Sequence, residues 1–226
     1  MSKSMLVVAA HPDDEILGCG ATVAKLAAEG WRVHLAILGE GVTSRGASAE
    51  AGVELEALRQ ASRRAASILG AQGVEHFGLP DNSLDTVPLL SLVKIVEELV
   101  KRHRPELVLT HFPGDLNVDH QLVAKAVLTA TRPLPGEGAR EVLHFSVASS
   151  TEWAFGLLGG TYSPTVFYDV SEHWDKKLRA LEAYASEMRP FPHPRSAEAI
   201  TAEATRLGSS IGVARAEAFL LARAIR

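Results

Sequence analysis

The chain has one cysteine, Cys19, in 226 residues. No internal disulfide can therefore stabilise it, and a reducing compartment such as the cytoplasm is the expected location. Cys19 sits four residues into a helical pattern, where a buried, inert thiol is expected. No apolar run approaches the roughly 20 residues of a membrane-spanning helix. The opening Met-Ser-Lys-Ser-Met leads straight into the first strand, so no export signal is expected. Basic residues are not in excess: 23 Lys and Arg against 27 Asp and Glu give a formal charge of −4. That balance offers nucleic acid no basic surface and favours a small-molecule partner. Flexible linkers, repeats and low-complexity segments are also missing. With 46% hydrophobic residues, enough for a large core, the expectation is a single domain over 1–226. In it, residues 133–226 add strands and helices to a core formed by 1–132.

What is present is alternation. An apolar run at 5–10 precedes a helical pattern over Glu15–Glu29, closed by Gly30, and a second strand over Arg32–Leu38. Three glycines within 39–47 predict a loop, because each would weaken regular structure. A helix over Ser48–Leu69, a short strand at Val74–Phe77, a helix over Val87–His103 and a strand over Glu106–His111 follow. Residues 112–117 predict a turn and Val118–Thr131 a helix, halted by Pro133 and Pro135. After the Pro/Gly-rich stretch 133–138 come strands at Val142–Ala148 and Thr165–Tyr168, then helices at Ser171–Glu187, Ala197–Gly208 and Val213–Arg223. This order predicts an α/β fold with a mostly parallel sheet and helices on both faces, doubly wound in its first two thirds. Gly18-Cys19-Gly20 invites a dinucleotide-binding reading, but the glycines fall inside the helical pattern and position 23 is valine where a third glycine belongs. A non-catalytic nucleotide- or sugar-binding module is the alternative from another functional class.

Residues 5–15 read Met-Leu-Val-Val-Ala-Ala-His-Pro-Asp-Asp-Glu, a strand that ends abruptly in a histidine and three acids. Open α/β sheets bind ligands where such strands end. Adjacent carboxylates repel unless they face solvent or hold something positive between them. Pro12 at the first helical position, with the acids complementing the helix dipole, explains Asp13, Asp14 and Glu15 but leaves His11 unused. A metal ion explains His11 as well. The strand ending at His111 repeats the opening pattern, and a parallel sheet can bring both strand ends to one edge. His11, Asp14 and His120 then form a set of two imidazoles and one carboxylate with positions open for water and substrate, the pattern of catalytic zinc or ferrous sites. Asp13, beside a ligand, is placed to accept a proton from water.

Ala-His-Pro-Asp-Asp-Glu (10–15), followed by Leu17-Gly18-Cys19-Gly20 and a later Asp119-His120, resembles the PIG-L/LmbE family of metal-dependent N-deacetylases, which act on N-acetylglucosaminyl and related amino-sugar compounds. The likeness extends to Arg59 ahead of Ile68-Leu69-Gly70, Leu79-Pro80-Asp81-Asn82, Thr110-His111, Gly114 to His120, Ser149 to Trp153, and Ser186 to Pro190. The resemblance implies a Rossmann-like fold, zinc (with ferrous iron the alternative) on His11, Asp14 and His120, and Asp13 as general base. It further implies hydrolytic removal of an N-acetyl group from a small amino-sugar substrate. A metal-dependent esterase or another amidase is the alternative within the same chemistry. Trimers or hexamers are also implied, with segment 153–167 as a contact. One position departs: Asn117 stands where many members carry histidine, leaving His111 or His193 as candidates for its role.

The remaining candidates have ordinary structural readings beside their functional ones. Arg59, Asp81, His111, Asp115 and His193 are candidate substrate contacts. Arg45 could bind an anion and Glu152 could hold substrate. Asp119 is a candidate to orient a ligating imidazole through a hydrogen bond, or to cap a helix. His34, His76, His103, His144 and His173 are expected to be packing or surface residues.

Overall fold

The computed structural model describes residues 2–41, 51–134 and 139–226. The loop reading around Arg45, the start of the helix read from Ser48, and residues 135–138 lie outside them. The chain opens with β1 (Ser4–Ala9), α1 (Asp14–Ala28), β2 (Arg32–Gly39), α2 (Ala51–Leu69), β3 (Gly73–Leu79), α3 (Leu89–His103), β4 (Leu107–His111) and α4 (Val118–Ala130). It continues through β5 (Glu141–Phe145), β6 (Val166–Asp169), α5 (Trp174–Ala183), α6 (Ala197–Ser210) and β7 (Ala216–Ala224). Seven strands form one sheet in the order β3-β2-β1-β4-β5-β7-β6. The first five are parallel, while β7 runs antiparallel to both β5 and β6.

Burial on both faces explains the apolar strands. Met5 and Val7 of β1 pack with Val33, Leu35, Leu107 and Leu109 under α1, α2, α5 and α6. Leu6 and Val8 pack with Ala36, Leu38 and Val108 under α3 and α4. Alternate residues of one strand thus serve two separate cores. The sheet reverses direction of growth between β1 and β4, since β2 and β3 extend it one way and β5 onward the other. A crevice opens at such a switch point, beyond the strands' carboxyl ends.

One sequence expectation is corrected here: residues 213–223 form no helix. Ala216–Ala224 is a strand inserted between β5 and β6. Its Ala, Glu and Leu content favours helix locally, but the unpaired edge of β5 and the turn at Gly212, with φ of +80°, convert it to sheet. The helix read over 171–187 is also shorter, a 3-10 turn at Ser171–His173 leading into α5, which ends at Ala183.

A break in α1 shapes the site. Cys19 has φ −148° and ψ 19°, so the ladder is interrupted there. Ala21 and Thr22 N–H groups beyond the break donate to the Glu217 carboxylate at 3.1 and 2.7 Å. Buried Lys177 donates to Leu17 O at 2.8 Å and to Glu217 at 2.6 Å. The backbone groups freed by the break are thereby satisfied by side chains from α5 and β7. Gly18 is required because a Cβ there would lie 2.3 Å from the Phe145 ring.

Candidate metal centre and polar cleft

His11 follows β1, Asp14 opens α1 and His120 lies in the first turn of α4. The three offer ligand atoms that all lie within 4.8 Å of one another. Asp14 Oδ2 is 3.4 Å from His11 Nδ1 and 3.3 Å from His120 Nε2. The opposite imidazole nitrogens are turned outward to acids. His11 Nε2 is 2.9 Å from Asp119 Oδ2, whose other oxygen accepts from Leu84 N at 2.9 Å. His120 Nδ1 is 3.1 Å from Asp115 Oδ1, without the alignment of a regular hydrogen bond. Asp115 is itself fixed by the Ser150 and Thr151 hydroxyls.

These residues fit a metal on two counts. Each imidazole has one nitrogen directed to a carboxylate and the other toward Asp14, the arrangement that sets tautomer and basicity in ligating histidines. Asp14 is fully buried and its Oδ1 has no partner, a cost of about 1–3 kcal/mol for a neutral group and more for a charged one. A cation removes that cost. The charge balance agrees. Burial opposes the imidazolium of His11, yet Asp119, Asp14 and Asp81 outweigh it and push its pKa up to about 10. Burial likewise opposes the charged form of His120, but Asp14 and Asp115 raise it to about 9. The protons on these rings supply positive charge that a divalent cation would replace, so binding would release protons.

Asp13 lies beside this group in an unusual backbone conformation, with φ of 104°. Burial pushes its carboxyl well above the usual range, against the pull of Arg195. Arg195 Nη1 contacts Asp13 Oδ2 at 2.7 Å. A cleft of about 160 Å³ opens over the centre, lined by His11, Asp13, Asp81, His120, Ser149 and Arg195, and also by Asn82, Asn117, Ser150 and Glu187. Asp81 thus stands on the wall, 3.4 Å from His11 Nε2.

Other sequence candidates fall elsewhere. His111 is fully buried behind His120, stacked on it at 4.0 Å, and accepts from Ala10 N at 2.8 Å through Nε2. Burial lowers its pKa, keeping the ring neutral, as that acceptor role requires. Asp115 is also fully buried behind His120. Neither His111 nor Asp115 is among the residues that line the cleft. His193 packs edge-on against Trp153 and accepts from Arg195 N at 3.1 Å. Arg59 lies on α2 next to Gly78. Neither of these two lines the cleft. Glu152 binds the Ser149 and Ser150 N–H groups. Asn117 caps α4 and donates to Asn82 Oδ1 at 2.8 Å. Sequence reading gave no role to Arg195, Asn82 or Glu187. The one available signal for Arg195 was a cation closing a rigid Pro-x-Pro-x-Pro segment.

The sequence profile of the PIG-L family, described as GlcNAc-PI de-N-acetylase, matches residues 6–131, which carry all three clustered residues. The chain belongs to the PIG-L family. It is 30% identical over 190 residues to the Escherichia coli uncharacterized deacetylase YaiS, covering 81% of this chain and 91% of that one. It is 32% identical over 206 residues to 4-oxalmesaconate hydratase of Pseudomonas putida, covering 82% and 74%. It is 27% identical over 192 residues to a probable N-acetyl-alpha-D-glucosaminyl L-malate deacetylase 2 of Bacillus cereus, covering 83% and 84%. Among solved structures, GalB, the 4-carboxy-2-hydroxymuconate hydratase of Pseudomonas putida KT2440, superposes with a TM-score of 0.80 at 25% identity, covering 99% and 98%. The proteins it resembles thus carry the names of two reactions, deacetylation and hydration.

Proposed function

We propose that this PIG-L protein is a zinc-dependent hydrolase that removes the N-acetyl group from a small amino-sugar substrate. The observation that carries the reading is the convergence of His11, Asp14 and His120 within 4.8 Å, with Asp13 beside them in the same cleft. When bound, a divalent cation there supplies the charge that acidifies water and polarises an acyl oxygen. Asp13 takes the proton from water as its oxygen bonds to the acyl carbon. The C–N bond then breaks, and Asp13 returns the proton to the departing amine, giving acetate and a free amine. Asp119 and Asp115 hold the two imidazoles in place. Asp81, Asn82, Asn117 and Ser149 offer hydrogen-bonding groups for sugar hydroxyls. Two imidazoles and a carboxylate suit ferrous iron as well as zinc, so iron content belongs in the same measurement. A cytoplasmic location and a trimeric or hexameric assembly complete the reading, the first resting on the free buried Cys19.

Hydration is the second reading, favoured by the 32% identity to 4-oxalmesaconate hydratase. The cleft wall argues for the sugar. Among the described residues it carries three carboxylates, on Asp13, Asp81 and Glu187, against one guanidinium, Arg195, already bound to Asp13. A neutral polyhydroxyl compound suits that wall better than a substrate bearing several carboxylates. Acetate release across a panel of N-acetylamino sugars and their conjugates, with metal-stripped protein as control and unsaturated carboxylates assayed for hydration in parallel, tests the reading. Metal-dependent acetate release is expected. Hydration without acetate release would replace the proposal, and neither activity would favour a binding module.

A further inference from the structure

Asp13 is gripped from three sides. Its N–H donates to Glu15 Oε2 at 3.1 Å, and its carbonyl accepts from Ile16 and Leu17 N–H groups at 3.0 and 2.9 Å. Glu15 is itself buried and fixed by the Tyr184 hydroxyl, which donates to Oε1 at 2.6 Å. These bonds hold the backbone at φ of 104°, a conformation costing about 1–3 kcal/mol outside glycine. With the main chain pinned, only the side-chain torsions of Asp13 are left to set.

Arg195 is built to set them. Its Nη1 contacts Asp13 Oδ2 at 2.7 Å, and its Nε donates to Ser149 Oγ at 2.8 Å. The segment before it, Pro190-Phe191-Pro192-His193-Pro194, has three residues whose φ the ring fixes. The His193 ring accepts from Arg195 N and rests against Trp153. Ser196, immediately after, caps α6 through Ala199 N at 3.1 Å. The guanidinium is thus held by a rigid strap and an anchored helix, 182 residues along the chain from the acid it meets.

We propose that Arg195 is a positioning residue for the reaction: it fixes one oxygen of Asp13 so that the other is presented as proton acceptor. The proposal rests on Asp13 being the base, and its test has a readout that does not need turnover. Crystal structures of the zinc-loaded wild type, Arg195→Met and Arg195→Lys give the Asp13 rotamer directly, and kinetics on an N-acetylamino sugar give kcat, KM and metal content. In Arg195→Met the Asp13 carboxylate is expected to leave its wild-type rotamer. Its kcat should fall about 100-fold, the scale of an ångström-sized misplacement, with KM and zinc content unchanged. Arg195→Lys should recover the rotamer and part of the rate, and it carries the test alone if the methionine variant fails to fold: a lysine variant with a displaced Asp13 and no gain from the retained charge would count against the proposal. An undisturbed Asp13 rotamer in Arg195→Met overturns it whatever the activity, as does a raised KM with kcat preserved, which would make Arg195 a substrate contact. Absence of amide hydrolysis in the wild type would defeat the functional reading, and the rotamer comparison would still decide this one.

Discussion

At the scale of single residues, the site is a problem of charge. Asp13, Asp14 and Glu15 are consecutive and each at most 3% exposed, yet each has a different counterpart. Asp14 faces two imidazoles, Asp13 faces Arg195, and Glu15 receives the Tyr184 hydroxyl. Burial raises Glu15 to about 7, whereas His120 and His11 hold Asp14 well below the carboxylate range despite its burial. In the proposed reaction these neighbouring residues of one chemistry divide into ligand, base and brace. Asp13→Asn should keep the metal and lower kcat by about 10²–10⁴, the usual contribution of a general base. Full turnover in that variant, measured as acetate release, would remove Asp13 from its role. The convergence of His11, Asp14 and His120 was legible in the sequence because they follow the ends of two apolar strands, His11 directly and Asp14 and His120 in the first turns of the helices that come next. Arg195 was not, since its meaning comes from a contact that only the folded chain creates.

At the scale of elements, the decisive feature is how the C-terminal third supports the first helix. The Lys177–Glu217 pair is buried and ties the break in α1 to α5 and β7. Lys177→Met leaves Glu217 without its cation and should cost about 3–5 kcal/mol, read as a lower denaturant midpoint; a midpoint within error of wild type would show the pair to be dispensable. Gly18→Ala drives a methyl into the buried Phe145 ring and should cost about 1–3 kcal/mol as an overpacked core. A stability equal to wild type would mean that β5 yields freely. Strands β1, β2 and β4 were readable as apolar runs, because burial on both faces needs no alternation. The strand β7 was misread because its Ala-rich composition has helical propensity, and only its two sheet neighbours impose the extended form.

At the scale of the whole molecule, the sheet order places the carboxyl ends of β1 and β4 side by side, so residues about a hundred positions apart meet in one crevice. The same architecture fixes the response to acid. Burial, then His103 and Arg32, lower the pKa of His34 to about 4, and burial, then Arg63 and Arg59, do the same for His76. The unfolded chain takes up these protons near pH 6.5 and the native chain only near pH 4, so these two histidines withdraw stability as pH falls through that window, while Glu15, raised to about 7, contributes in the opposite sense. The doubly substituted His34→Gln, His76→Gln protein should show a shallower decline between pH 6.5 and 4 in denaturant titrations; an unchanged slope would assign the acid sensitivity to other groups. The centre itself is tested most directly by elemental analysis of wild-type and His120→Ala protein, purified and then dialysed against zinc. About one tightly held ion per chain in the wild type, and loss of that ion in the variant, is the predicted result. A wild type that retains no metal, or a variant that retains it equally, would contradict a metal centre on His11, Asp14 and His120.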